Sequence, residues 1–240
     1  MIGSILNVAG ILAGGAVGLL RAQPLSPAKE AFFKVTLGAL TVFFGLRLTW
    51  LSLNGSLPQI LKQLLVAVMA LTIGRLTGRL VGLQEMSNRL GQSARKRLTA
   101  ATPGDPRRVN EGFKTCAALF CAAPLGPLGA VQDGLSNYFY PLAVKAVVDG
   151  LATMSLVSLF SWGAMLAALP VLAIQGTITL VCSQLLEPFL RTHGLIESVN
   201  ATGGLLVFSV ALVILDLKKI GLADYLPSLV VAPLIAWLWR

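Results

Sequence analysis

The stretch AVQDGLSNYFYPLAVKAVVDGL, residues 130–151, carries AVxDGL at both ends and sets Asp133, Lys145 and Asp149 within an apolar run. What these charges mean depends on the solvent around them. Hydrophobic residues make up 55% of the 240-residue chain and charged residues only 12%, with a mean hydropathy of +0.79. A soluble domain carries about a quarter charged residues. The composition therefore requires an all-α polytopic membrane protein whose partner is the lipid bilayer. Charges kept inside hydrocarbon are costly, and so are candidates for function.

A net charge of +9 would suggest nucleic acid for a soluble protein. Here the basic residues gather in one loop, the mark of a cytoplasmic membrane face, and no nucleic-acid partner is expected. Cys116, Cys121 and Cys182 lie in apolar runs without CxxC spacing and read as packing residues. His193 is the only histidine, which leaves little from which to build a zinc site or a Ser-His-Asp triad. There is no GxxxxGK[ST] phosphate cradle. No metal, cofactor or enzymatic activity is expected.

Working outward from 130–151, eight spans are expected, forming a single integral membrane domain over 1–240. Span 1 (2–20) has no positive charge before it and Arg21 behind it, so it reads as an uncleaved helix with its N-terminus outside. Gly10, Gly14 and Gly18 share one helical face with Asn7, a surface for close approach of another helix or of a second copy. Span 2 covers 35–53 and ends near Arg47. Span 3 begins at Leu57 and continues beyond the membrane as a basic amphipathic helix and loop over 75–110. In it Arg75, Arg79, Arg89 and Arg95 alternate with Leu76, Leu80, Leu83, Met86 and Leu90, until TPGDP (102–106) ends it. Span 4 (112–134) contains PLGPLG at 124–129, to be read as a kink, a broken helix or a re-entrant turn. Span 5 (139–160) holds Lys145 and Asp149, span 6 (162–186) holds Gln175 with Thr179 one turn on, span 7 (199–217) holds Asn200, and span 8 (226–239) ends in aromatics.

Placing the basic 75–114 loop in the cytoplasm puts both termini outside. It also leaves 14 Lys/Arg inside against four outside (Arg47, Lys62, Arg191, Arg240), with Lys145 in the membrane. The two ends of the chain are then alike: LGALTVFF (37–44) matches TGGLLVFS (202–209), SLPQILKQLLV (56–66) matches YLPSLVVAPLI (225–235), and LAGG (12–15) matches IQGT (174–177). Spans 1–3 against spans 6–8, offset by five crossings, make an inverted-topology repeat around a central two-helix hairpin. Many secondary transporters have that architecture.

The MIGxxxN opening, QDGL at 132–135, KxxxDG at 145–150, IQGTITL at 174–180, TGGLL at 202–206 and the late LP…AP together resemble the bacterial inner-membrane family catalogued as domain of unknown function 554, the YdfK/YqgA-like proteins. The resemblance covers essentially the whole chain. It implies an inner-membrane location and a general association with transport. It places Asn7, Gln132, Asp133, Lys145, Asp149 and Gln175 in family motifs without assigning them a role.

Lys145 and Asp149 are four residues apart on a helix, close enough to pair. Three readings follow: a buried pair that fixes helix register, a cation or proton site at Asp149 with Lys145 as counter-charge, or an anion site at Lys145. Gln132, Gln175, Asn7 and Asp133 would complete such a site. The leading expectation is a secondary transporter of a small solute or ion. An oligomeric ion channel and a non-transporting membrane scaffold are the alternatives.

Overall fold

A computed structural model describes residues 1–20, 26–102 and 106–239; Arg21, Arg240 and residues 103–105 of TPGDP lie outside the described residues. The described chain is helical, with no strand. In order come α1 (Ile2–Leu20), α2 (Pro27–Ser52), α3 (Leu57–Val81), α4 (Leu83–Ala100), α5 (Arg108–Ala122), α6 (Leu125–Ser136), α7 (Tyr140–Phe160), α8 (Ala168–Val181), α9 (Glu187–Thr192), α10 (Ile196–Ile214) and α11 (Ser228–Leu238). Short 3₁₀ segments precede α8 and α11, and a wide π turn joins α8 to α9.

Local chemistry sets the boundaries. Pro27 and Pro58 sit in the first turns of α2 and α3, where a missing N–H costs nothing. Ser56 and Gln59 form a reciprocal capping box at the start of α3. Gly82, at φ 73°, closes α3 in a left-handed conformation that a side chain would strain, its N–H bonding to the carbonyls of Gly78 and Arg79.

The distribution of polarity is that of a bilayer protein. Ser4, Asn7, Thr41, Gln132, Asp133, Lys145, Asp149 and Gln175 are buried, while Ile5, Leu12, Val17, Phe43, Trp50, Leu61 and Leu65 are exposed. In lipid the apolar side chains need no cover and the polar ones do. Among the described residues, five helical stretches are long and apolar enough to cross a membrane, or six when the bent α5–α6 pair is joined. One of the five, Tyr140–Thr192, is 53 residues long. At 1.5 Å per residue it would measure about 80 Å, far beyond one crossing. It reverses: α7 runs alongside α1, with Gly10, Gly14 and Gly18 against Ala146, Gly150 and Met154, whereas α8 runs against α1, with Asn7 meeting Gln175 and Ser4 meeting Thr179. The turn lies at Ser161 (φ 54°) and the 3₁₀ segment after it. The protein is a multi-pass helical membrane protein.

Two other pairings build the remainder. α2 lies antiparallel to α10, with Gly38 against Leu215 and Gly45 against Phe208. α3 lies antiparallel to the segment containing α11, with Gly74 against Ser228 and Gly78 against Asp224. Glycine at each contact lets the backbones meet, where packing rather than hydrophobic exclusion must hold helices together.

The expected continuous helix from Leu57 through the 75–110 region is corrected. The chain breaks at Gly82, so Arg75 and Arg79 belong to α3, and α4 is a separate amphipathic helix. One side of α4 packs on α5 through buried Ala94, the Ser87 hydroxyl to the Ala122 carbonyl (3.0 Å) and the Arg97–Glu111 bridge (2.6 Å). Met86 and Leu90 remain exposed on it. The hydrogen bond from Arg97 holds the Glu111 carboxyl below its usual range.

Candidate functional site

The PLGPLG stretch breaks the chain between α5 and α6, which bend by 61°. α5 begins with Gly112 against Phe160 and Val109 against Gly163, at the level where the C-terminal half of α1 packs (Gly15 on Met165, Gly18 on Val157). α6 ends with Asp133 at the first residues of α1. The α5 half thus lies at the level of the C-terminal half of α1 and the α6 half ends at its first residues, with the break between them.

Lys145 and Asp149 lie beside that break. Nζ donates to Asp149 Oδ2 at 2.6 Å, and the side chains are 2% and 6% exposed. The α7 helix puts them one turn apart, and close packing on α1 turns that face inward. Gly126, in the first turn of α6, leaves room for the Lys145 stem and the Gln175 amide: a Cβ there would sit 3.3 Å from Lys145 Cε and 3.2 Å from Gln175 Nε2. Asn7 Nδ2 donates to Gln175 Oε1 at 3.2 Å. The Phe120 ring stands 6.0 Å from the ammonium. A cavity of about 300 Å³ is lined by the ion pair together with Gln84, Ala123 and Pro124. Its walls are aliphatic, from Leu125, Val148, Val210, Val213, Ile214 and Leu222.

Four of the residues singled out in the sequence, Asn7, Lys145, Asp149 and Gln175, meet here. Asp133 and Gln132 do not. Asp133 Oδ2 accepts from the Gly3 N–H at 3.0 Å and lies 3.1 Å from the Met1 amino group, so its charge faces the positive end of the α1 dipole. Gln132 is fully buried against α10, where a Cβ on Gly203 would come within 2.0 Å of its Nε2, and neither amide atom has a protein partner. Gly10, Gly14 and Gly18 form the contact that holds Asn7 at the site.

Sequence reasoning missed Gln84, Phe120 and Gly126. Gln84 lies in the first turn of the amphipathic helix α4. It is held inside by two long-range bonds, its N–H to Asp224 Oδ1 (2.9 Å) and its Oε1 from the Ala223 N–H (3.1 Å). No local signal marks those partners. Gly126 sits in the PLGPLG motif and could have been singled out as the point where a half-helix starts.

On the side of the molecule where α1 begins, the SNYFY loop packs shut. The Tyr138 hydroxyl donates to the Phe44 carbonyl at 2.7 Å, Tyr140 stacks on Phe44 and Phe139, and the Arg47 guanidinium lies 5.6 Å over the Tyr140 ring.

Two known proteins are similar to this chain over nearly its full length. The chain is 29% identical over 235 residues to the "Uncharacterized membrane protein YdfK" of Bacillus subtilis (strain 168), covering 98% of this chain and 95% of that protein. It is 25% identical over 243 residues to the "Uncharacterized protein YqgA" of Escherichia coli (strain K12), covering 100% and 97%. No solved structure matches. Residues 2–237 match the family described as "Protein of unknown function (DUF554)", and the chain belongs to that family.

Proposed function

We propose that this protein is a secondary transporter of a small solute or ion, with Lys145 and Asp149 at its binding site near mid-membrane. The observation that carries the reading is a buried ion pair at a helix break, reached by a cavity from one side while the aromatic SNYFY loop closes the other. Unwound backbone beside a polar group is where transporters bind their cargo.

We further read the chain as an eight-span inverted repeat around a central two-helix hairpin. The helices that carry the segments matched in sequence run antiparallel to each other, α2 to α10, α3 to α11, and α1 to α8. A two-fold axis in the membrane plane would relate helices that run in opposed directions in this way. In this reading the basic 75–114 region faces the cytoplasm of a bacterial inner membrane, both termini lie outside, the cavity opens inward, and nucleic acid is no partner. A carrier is favoured over an enzyme with two convergent carboxylates because Asp133 and Asp149, the candidate pair, are engaged at separate places. A carrier is favoured over a channel because the aromatic closure and the cavity lie on opposite sides of the site.

Purified protein in liposomes, tested for uptake of a panel of ions and small metabolites under imposed gradients, decides the matter. Saturable flux that Asp149→Asn abolishes is expected. Movement of nothing in the panel would remove the reading, and unsaturable flux without counter-ion dependence would replace it with a channel.

A further inference from the structure

We propose that the solute recognised at Lys145 and Asp149 is a small zwitterion with an aliphatic tail, of the aliphatic α-amino acid kind. The proposal rests on the transporter reading above and names its substrate class.

Charge pairing carries the first step. Both ionic side chains are buried, and each is the other's partner at 2.6 Å. A solute bearing only positive charge would compete with the Lys145 ammonium for Asp149 and leave two buried cations to share one carboxylate. A solute bearing only negative charge would leave two buried anions to share one ammonium in the same way. Leaving one ion of a buried pair unmatched is far more costly than keeping both paired. A zwitterion entering between them offers its carboxylate to Lys145 and its ammonium to Asp149. Four charges then alternate in sign and none is stranded.

The neighbouring amides fit that exchange. Gln175 Nε2, which lies within reach of the Lys145 stem across Gly126, is a donor for a carboxylate already drawn to the ammonium. Asn7, whose Nδ2 bonds Gln175 Oε1, has its own Oδ1 buried with no partner among the described residues, a spare acceptor on a residue of the same cluster.

The cavity supplies the second half of the recognition. Its volume of about 300 Å³ corresponds to about ten waters at about 30 Å³ each, room for a molecule of about that many heavy atoms. Beyond the ion pair its lining is aliphatic, with Gln84 as a further polar side chain. A bare inorganic ion would leave those walls unused, whereas a branched hydrocarbon tail would cover them.

The test uses the full chain in detergent and in liposomes with three probes of one shape: L-leucine, 3-methylbutylamine and 4-methylpentanoate. Wild type should bind leucine at least tenfold more tightly than either single-charge analogue, measured by calorimetry and thermal shift. Asp149→Asn should move the preference toward the carboxylate, and Lys145→Met toward the amine, a reversal that a merely structural pair would not produce. Should those variants fail to fold, Val213→Phe narrows the cavity without touching a charge. It should lose leucine while keeping alanine.

Equal affinity for an analogue and leucine in wild type, or no binding of leucine, overturns the proposal. Flux of some other solute class without zwitterion binding overturns it and leaves the transporter reading standing. Leucine binding without flux does the reverse, and absence of both removes the two together.

Discussion

Removing one member of the Lys145–Asp149 pair should be far more damaging than removing both. The charged atoms are 2.6 Å apart, and at an effective dielectric of about 20 their attraction is about 6 kcal/mol. Desolvation of the two ions offsets most of this, so the pair as a whole is close to neutral against a well-packed apolar replacement. Asp149→Asn leaves the ammonium with little beyond the Phe120 ring at 6.0 Å and the neutral amides around it. The expected loss is about 3–5 kcal/mol, toward the lower end because asparagine still offers a carbonyl. Lys145→Met, which strands the carboxylate, should cost a similar amount. The double variant Lys145→Met/Asp149→Leu should return to within about 1 kcal/mol of wild type while carrying no solute. The measurement is equilibrium unfolding in mixed micelles followed by tryptophan fluorescence, combined as a double-mutant cycle. A coupling energy below about 0.5 kcal/mol, or an Asp149→Asn protein as stable as wild type, would refute the argument that this pair is buried and mutually dependent.

Three further outcomes follow from the same geometry. A Cβ at Gly14 would stand 2.0 Å from the Gly150 carbonyl oxygen, where ordinary contact begins at 3.4 Å. Gly14→Ala should therefore push α1 from α7 by about 1.4 Å, the difference of those distances, at about 1–3 kcal/mol, and abolish flux by moving Asn7 while altering no site side chain. Gln132→Leu removes two buried amide atoms that lack protein partners; it should raise the unfolding free energy by about 1–3 kcal/mol, and a destabilised variant would show that these atoms are satisfied. Glu111 has a folded pKa below the usual 4.5 because Arg97 hydrogen-bonds it, so the α4–α5 bridge contributes above about pH 4.5 and is lost as pH falls through the lowered value. Hydrogen exchange of α4 should accelerate over that acid range in wild type and not in Arg97→Gln.

Much of this protein is written locally. Low charge content and long apolar runs determine a helical bilayer protein, because hydrocarbon leaves the backbone no other way to satisfy its hydrogen bonds. The spacing of Gly10, Gly14 and Gly18 announces a close helix contact, Lys145 and Asp149 pair at helical spacing, and PLGPLG announces a break. These are short-range properties, legible from any one segment.

What the tertiary structure alone decided is which segments meet. Gln84 enters the cavity only because Ala223 and Asp224, about 140 residues away, hold it there. Asp133, as prominent in the sequence as Asp149, is drawn instead to the start of α1, and Gln132 beside it is turned against Gly203. Gly82 divides what hydrophobic periodicity joined, since a periodic pattern does not register a single left-handed residue. The stretch 130–151 named both acidic residues, but only the packing of α6 against α1 and of α7 against the broken helix separates them. Asp133 faces a helix end there, and Asp149 faces a buried ammonium, because a charge in lipid goes where its nearest compensating charge can be reached.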